Sequence, residues 1–325
     1  MAIQDHWYRR TWLSVLLLPL AWLFGVITSC RRALYRSGSL RSYRAPVPVI
    51  VVGNLSVGGT GKTPLVVYLA RVLDESGYRV GVVSRGYGGS ATRAQEVLAD
   101  SQAAAVGDEA LLIARNSNAR VWVGRQRPRA VVQMLAQYPC DVVLSDDGLQ
   151  HYALRRDVEI VVIDGARGFG NGWLLPAGPL REQRSRLRQA HMVVENGGGK
   201  DNGFAFQLHI EQAVNLASSE SRSLSDFRET SVHAVGGIGN PARFFAQLRG
   251  LGIVCREHAF PDHHRFRKAD LAFADELPVL MTEKDAVKCA GFGDPRLWYV
   301  PAVLVDRESR IANEVKRLLS ERTAH

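Results

Sequence analysis

The segment that most restricts the fold of this chain runs from Val49 to Leu73. A β-branched apolar run, Val49 to Val52, enters Gly53-Asn54-Leu55-Ser56-Val57-Gly58-Gly59-Thr60-Gly61-Lys62-Thr63, and an apolar stretch with helical spacing follows from Pro64 to Leu73. A strand that passes through a glycine-rich loop into a helix directs free backbone N–H groups and the positive helix end at one point, which suits a phosphate. In that arrangement Ser56, Val57, Gly58, Gly59, Thr60 and Gly61 form the cradle, Lys62 reaches the β- and γ-phosphates of a nucleotide, and Thr63 ligates Mg²⁺. Pro64 falls in the first helical turn, where a missing N–H costs nothing. Ser56 stands where G-x-x-x-x-G-K-[ST] has its first glycine, so the strand before and the helix after carry the assignment.

Such a loop belongs at the carboxyl edge of a parallel sheet, and the rest of the chain supplies one. Short β-branched runs at Val80 to Ser84, Val121 to Gly124, Val142 to Ser145 and Ile160 to Asp164 alternate with helical spacing. Continuous apolar runs of this kind are strands buried on both faces. The expected fold is therefore α/β: a P-loop, doubly wound, mainly parallel sheet. The pattern breaks at a polar turn, Gly197 to Asn202, and again from Ser218 to Thr230, with a strand-like alternation between them at Phe204 to Ile210. A second βα series then starts at Val232 to Val235, continues through Gly252 to Glu257 and Pro278 to Met281, and closes with Trp298 to Val305, which predicts a smaller α/β domain. The expected division is an N-terminal apolar helix with a basic flank over 1–45, a P-loop core over 46–203, a linker with a β strand over 204–230, a small α/β domain over 231–297, and a return strand and helix over 298–325.

Two acidic segments are placed to serve the phosphate loop. The strand from Val142 ends in Asp146 and Asp147, and carboxylates at the carboxyl end of a parallel strand open onto the same crevice, the Walker B position for Mg²⁺. Gly107-Asp108-Glu109 opens a helical run. On residues alone these acids are ordinary helix-start caps; the functional alternative is a general base. Pro261-Asp262-His263-His264 is a further polar cluster in the second domain, either a solvated loop or an acid–imidazole pair that tunes a proton acceptor.

From Thr11 to Cys30 the chain carries no charge, a helix about 30 Å long, roughly one hydrocarbon core. Trp7, Tyr8, Trp12 and Trp22 are interfacial residues, Pro19 is expected to kink the run, and Arg31, Arg32, Arg36, Arg41 and Arg44 outweigh Arg9 and Arg10, which puts the downstream chain on the cytoplasmic side. Spanning the bilayer and lying in one leaflet are both open, and a buried helix or a secretory signal ending at Cys30 are the competing readings. The net charge of +9, from 41 basic and 32 acidic residues, suits phosphorylated or lipid partners. The four scattered cysteines give no metal-ligand spacing, and no nucleic-acid signature accompanies the charge.

VPVIVVGNLSVGGTGKTP, VGVVSRGYGG, GDEALLIA, VLSDDGLQH, LLPAGPLRE, AVGGIGNPARFF, FPDHHRF and MTEKDAVK, from Val47 to Lys288, together resemble the tetraacyldisaccharide 4′-kinases of lipid A assembly, a family that shows the same displaced first glycine. The resemblance implies two α/β/α domains joined by a β linker, and ATP- and Mg²⁺-dependent phosphorylation of the 4′-hydroxyl of a tetraacyl disaccharide 1-phosphate to give lipid IVA. It places the reaction at the cytoplasmic face of the inner membrane, with no obligate protein partner and no nucleic acid. Carried over by motif, Lys62 and Thr63 hold phosphate and metal, Asp146 and Asp147 serve the metal, Asp108 is the base with His263 as its partner, and Glu109, His151, Arg181 and Glu182 line the cleft. The rival is a membrane-bound P-loop switch ATPase of the partitioning type, which carries a lysine where this chain has Val57.

Overall fold

The computed structural model describes residues 6–198 and 203–323; residues 199–202 of the expected glycine-rich turn lie outside them. The N-terminal helices are α1 (Trp12–Leu16) and α2 (Leu18–Arg36). They are followed by strands β1 (Val49–Gly53), β2 (Val80–Ser84), β3 (Gln95–Val97), β4 (Arg120–Val123), β5 (Val142–Asp146), β6 (Val158–Asp164), β7 (Met192–Asn196) and β8 (Phe204–His209). Helices α3 (Lys62–Glu75), α4 (Ala103–Val106), α5 (Asp108–Asn116) and α6 (Arg127–Gln137) connect them. The chain then builds a second sheet from β9 (Gln212–Asn215), β10 (Ser221–Ser223), β11 (Val232–Gly236), β12 (Cys255–Ala259), β13 (Val279–Thr282) and β14 (Leu297–Val300), with α7 (Pro241–Gly250) and α8 (Glu283–Cys289). Finally β15 (Val303–Asp306) and α9 (Arg310–Thr323) return to the first sheet.

The nine-stranded sheet has the order β15-β8-β7-β6-β1-β5-β2-β4-β3, parallel except at its two edges, where β15 and β3 are antiparallel. Strands β1, β2 and β5 are buried along their whole length, as continuous apolar runs require. Ile50, Val52 and Leu144 pack with Leu65, Leu69, Leu111 and Ile311 on one face, and Val49, Val51 and Val143 pack with Val131 and Met134 on the other. The six-stranded sheet is ordered β10-β9-β14-β13-β11-β12, with its central strands parallel. It packs Phe244, Phe245 and Leu248 of α7 against one face and Ala286 and Cys289 of α8 against the other.

Two expectations change. The run Trp298 to Val305 is not one strand, because Pro301 cannot donate to a ladder; β14 stays in the small sheet and β15 joins β8 in the large one. The N-terminal run is not one kinked helix either. It breaks at Leu17, and Pro19 lies in the first turn of α2, where its ring is tolerated. Among the described residues no helix is long and apolar enough to cross a membrane, and α2 runs on into Arg31, Arg32 and Arg36. Only Ala21 and Gly25 of α2 are buried, while Trp12 and Trp22 are more than three-quarters exposed. At Gly25 a Cβ would sit 2.7 Å from Leu174, so the glycine sets how closely α2 rests on the body of the protein.

Candidate active site

The glycine-rich loop leaves β1 at Gly53 and enters α3 at Lys62 through Gly61, whose φ of 90° is a left-handed conformation. Gly58 is the other position in the loop with positive φ, and Ser56 is not one, so a serine satisfies the place of the missing glycine. Two buried asparagines hold the loop's shape. Asn54 Nδ2 donates to Ser56 O at 2.6 Å and to Thr60 Oγ1 at 3.2 Å, and Asn196 Nδ2, at the end of β7, donates to Thr60 O at 3.0 Å. From the second lobe, the loop after β11 comes so close that a Cβ on Gly239 would sit 2.2 Å from Gly59 N. Arg167 joins the two loops, donating to Gly59 O at 2.6 Å and to Gly239 O at 2.8 Å.

Lys62 and Thr63 are both buried at the start of α3, and Lys62 Nζ lies 3.6 Å from Asp147 Oδ1. Asp147 (φ 45°) also accepts from Arg181 Nη1, at 3.0 Å to each oxygen. Burial alone would push its carboxyl up, but the Lys62 and Arg181 charges outweigh that and hold it well below the usual range. Asp146 is fully buried at the end of β5. Its Oδ2 accepts from Ser84 Oγ at 3.3 Å, and its Oδ1 has no hydrogen-bond partner. Burial, then the nearby Glu109 and Asp147 charges, raise Asp146 to about 7. A buried carboxylate oxygen without a donor, beside a P-loop lysine and threonine, is suited to a hard cation. Magnesium takes few protein ligands and completes its shell with water and phosphate, which fits this small donor set and the lack of any three-ligand His/Cys/Asp/Glu cluster among the described residues.

Asp108 starts α5 and is buried. His263 reaches it from the second lobe with Nδ1 at 3.0 Å from Oδ2 and 3.2 Å from Oδ1, contacts that bridge residues 155 apart in sequence. An ionised carboxylate only accepts, so Nδ1 is the donor. Burial would raise Asp108, but the His263 hydrogen bond and the Lys284, His263 and Lys288 charges bring it below its ordinary value. Burial opposes charge on His263 as well, yet the Asp108 hydrogen bond carries it above its usual value. Glu109 pairs with Lys284 of α8 at 2.9 Å.

The remaining expected residues spread outward. Arg181 is in the cleft through Asp147, and Gln150 links it, at 3.4 Å, to Glu182, at 3.0 Å. Glu182 itself is buried away from the acids, accepting from Tyr152 at 2.6 Å and lying 3.6 Å from Arg32 of α2. His151 is depressed to about 3 by burial and then by surrounding arginines, foremost Arg127, so its ring is neutral. One residue was missed. Arg127, at the start of α6 and buried, donates to the main-chain carbonyls of Asp146 and Asp147, which fixes the turn that aims both carboxylates. Its signal was present in Gly124-Arg125-Gln126-Arg127-Pro128, a strand end followed by a helix start on the same edge of the sheet.

The profile of the tetraacyldisaccharide-1-P 4′-kinase family matches residues 13–321. Tetraacyldisaccharide 4′-kinase from Nitrosococcus oceani is 50% identical over 92% of this chain and 89% of its own length, and that from Methylobacillus flagellatus is 46% identical over 98% and 94%. The crystal structure of LpxK from Aquifex aeolicus in complex with ATP superposes with a TM-score of 0.78 at 30% identity, covering 94% of this chain and 99% of that one. The match runs along nearly the whole length and takes in both lobes, with a shared fold, and the chain belongs to the tetraacyldisaccharide 4′-kinases.

Proposed function

We propose that the cleft between the two lobes moves the γ-phosphate of ATP to the 4′-hydroxyl of a tetraacyl disaccharide 1-phosphate, with Asp108 as the base and Lys62 as the main phosphate ligand. The observation that carries this assignment of roles is the group at the ends of β1 and β5: Lys62 and Thr63 of the glycine-rich loop beside Asp147 and the unpartnered oxygen of Asp146. Thr63 and Asp146 would hold Mg²⁺, with Asp147 beside them; when bound, the ion spreads negative charge from the β- and γ-oxygens.

Asp108 accepts the proton of the 4′-hydroxyl as its oxygen bonds to the γ-phosphorus, and the bond to the β-phosphate breaks with the electron pair leaving on ADP. Lys62 and Arg181 face the charge that builds on the phosphoryl oxygens, where positioned cations act most strongly. His263 orients Asp108 from the second lobe, and so makes the base dependent on lobe contact. The exposed Trp12, Leu16, Leu20, Trp22, Leu23 and Ile27, with Arg31 and Arg36 alongside, support docking of α1 and α2 at the cytoplasmic face of the inner membrane, headgroup in the cleft and acyl chains in the bilayer.

The test is incubation of the purified chain with labelled ATP and acylated disaccharide 1-phosphates. Label should appear in lipid only when a free 4′-hydroxyl is present. Label released solely as inorganic phosphate would refute the transfer.

A further inference from the structure

Lys284 belongs to the segment Thr282-Glu283-Lys284-Asp285 at the start of α8. Helix capping accounts for two of its residues, since Thr282 Oγ1 accepts from Asp285 N at 3.3 Å. It leaves Lys284 unexplained. Its ammonium is mostly covered and lies 2.9 Å from Glu109, 3.5 Å from Asp262 Oδ1 and 3.5 Å from Nε2 of His263. These neighbours come from both lobes. The loop that carries His263 and the helix that carries Lys284 are also fastened to one residue, since His263 N donates to Gly237 O at 3.2 Å and Gly237 N donates to Asp285 Oδ2 at 2.9 Å.

An ammonium group only donates. Toward Nε2 it can donate only if that nitrogen carries no proton, while Nδ1, facing the Asp108 carboxylate, must carry one. We propose that Lys284 is a positioning residue for phosphoryl transfer: its ammonium at Nε2 opposes the second proton that Asp108 and Asp262 draw onto His263, and so favours the tautomer with its proton on Nδ1, a neutral donor to Asp108 in place of a cation. The charged groups around the ring are Asp108, Glu109 and Asp262 on one side of the balance and Lys284 and Lys288 on the other, with the Tyr87 ring 4.8 Å away. Lys288 is committed to Asp285 at 2.7 Å and stands 4.0 Å from Asp108, so Lys284 is the cation that meets the imidazole edge itself. Burial opposes charge on Lys284, but its acidic neighbours, Glu109 foremost, outweigh it and keep the ammonium charged.

The consequence lies in the strength of the base. A full positive charge against a carboxylate lowers its proton affinity by one to three pH units, whereas a neutral N–H orients it at a smaller loss. The inference rests on the reading of Asp108 as the base, and the measurements separate the two. In the full-length chain in detergent micelles, ¹⁵N imidazole spectra, with His263→Gln to assign the signal, should show the neutral ring protonated on Nδ1. In Lys284→Met the pH at which His263 takes its second proton should rise by about one unit or more, and the acidic limb of the kcat–pH profile should move with it. That is roughly a tenfold loss of kcat for each unit below the new midpoint. Lys284→Arg should restore the wild-type profile, with KM for ATP unchanged throughout. A His263 titration that does not move in Lys284→Met, or a kcat loss without a shifted profile, overturns the proposal. Should Lys284→Met fail to fold, the wild-type spectrum alone decides, since a neutral ring with its proton on Nε2 is incompatible with it. If Asp108→Ala keeps its kcat, the base assignment fails while the imidazole titration still tests Lys284.

Discussion

Replacing Asp146 by asparagine should make the metal-free protein more stable and leave it inactive. The carboxyl is fully buried, one of its oxygens lacks a partner, and burial with the neighbouring Glu109 and Asp147 charges lifts it from 3.8 to about 7. A carboxyl raised on folding acts against stability: nothing is lost below the unfolded value near 4, the penalty grows as pH climbs toward 7, and it is complete above. A gap of about three units corresponds to about 4 kcal/mol at pH 8. Asparagine removes the charge at nearly constant shape, but its amide N–H group needs an acceptor, which costs about 1–3 kcal/mol if none is found. The net gain is then about 2 kcal/mol, enough to raise Tm by a few degrees. The assay is thermal unfolding of both proteins in chelator at pH 5 and pH 8. Asp146→Asn should exceed the wild type at pH 8, and the difference should shrink or reverse at pH 5, where the wild-type carboxyl is already protonated. With Mg²⁺ and ATP the order should change, because only the wild type gains stability from the ion, and turnover of Asp146→Asn should be lost. A difference in Tm that is the same at both pH values would refute the reasoning, since it would mean that Asp146 carries no penalty for its charge.

Asp108→Ala should lower kcat by about 10²–10⁴ while ATP affinity changes little, measured by steady-state kinetics beside nucleotide binding. Lys62→Met should cost about 10² or more in rate, and an activity within a few-fold of wild type would remove Lys62 from the charge-stabilising role. His263→Ala should reduce turnover with unfolding unchanged, and unaltered kinetics would discredit the contact between lobes. Arg127→Met should weaken Mg²⁺-dependent turnover more than fold stability, because the two carbonyls it braces belong to the turn that carries Asp146 and Asp147; equal losses in both would make it a fold residue.

The parts of the fold that could be inferred from sequence are those where local chemistry and burial agree. Val80–Ser84 is a strand because its three valines are β-branched and the run between polar turns is too short for a buried helix, and its observed limits coincide with the expected ones. Trp298 to Val305 looked like one strand for the same reason, and the error sits at Pro301, where the missing N–H forces the chain to leave one sheet and join another. In the site, Gly58 to Thr63 were legible because a phosphate loop is built from consecutive residues. The pairing of Asp108 with His263 had no local signal, since the contact is made only when two separately folded sheets meet. Neither Asp262 nor His263 differs in sequence from a solvated turn.

The same distinction explains why the base and the phosphate ligand arrive on different parts of the chain. Lys62 and Asp146 are set by neighbouring strands of one sheet, so their geometry is established as soon as that sheet forms. Asp108 sits on the large lobe too, but the groups that govern its proton, His263 and Lys288 directly and Lys284 through the imidazole, lie on the small lobe. Separating the lobes would leave Lys62 and Asp146 in place on their strands and strip the base of its partners. A Gly239 side chain should therefore slow turnover more than it weakens nucleotide binding, because a Cβ at Gly239 would meet Gly59 N at 2.2 Å and push apart the contact that brings His263 home. Gly239→Ala, assayed for kcat and ATP affinity together, separates this from a simple defect of the loop: equal losses in the two would mean that the glycine serves the phosphate cradle and not the meeting of the lobes.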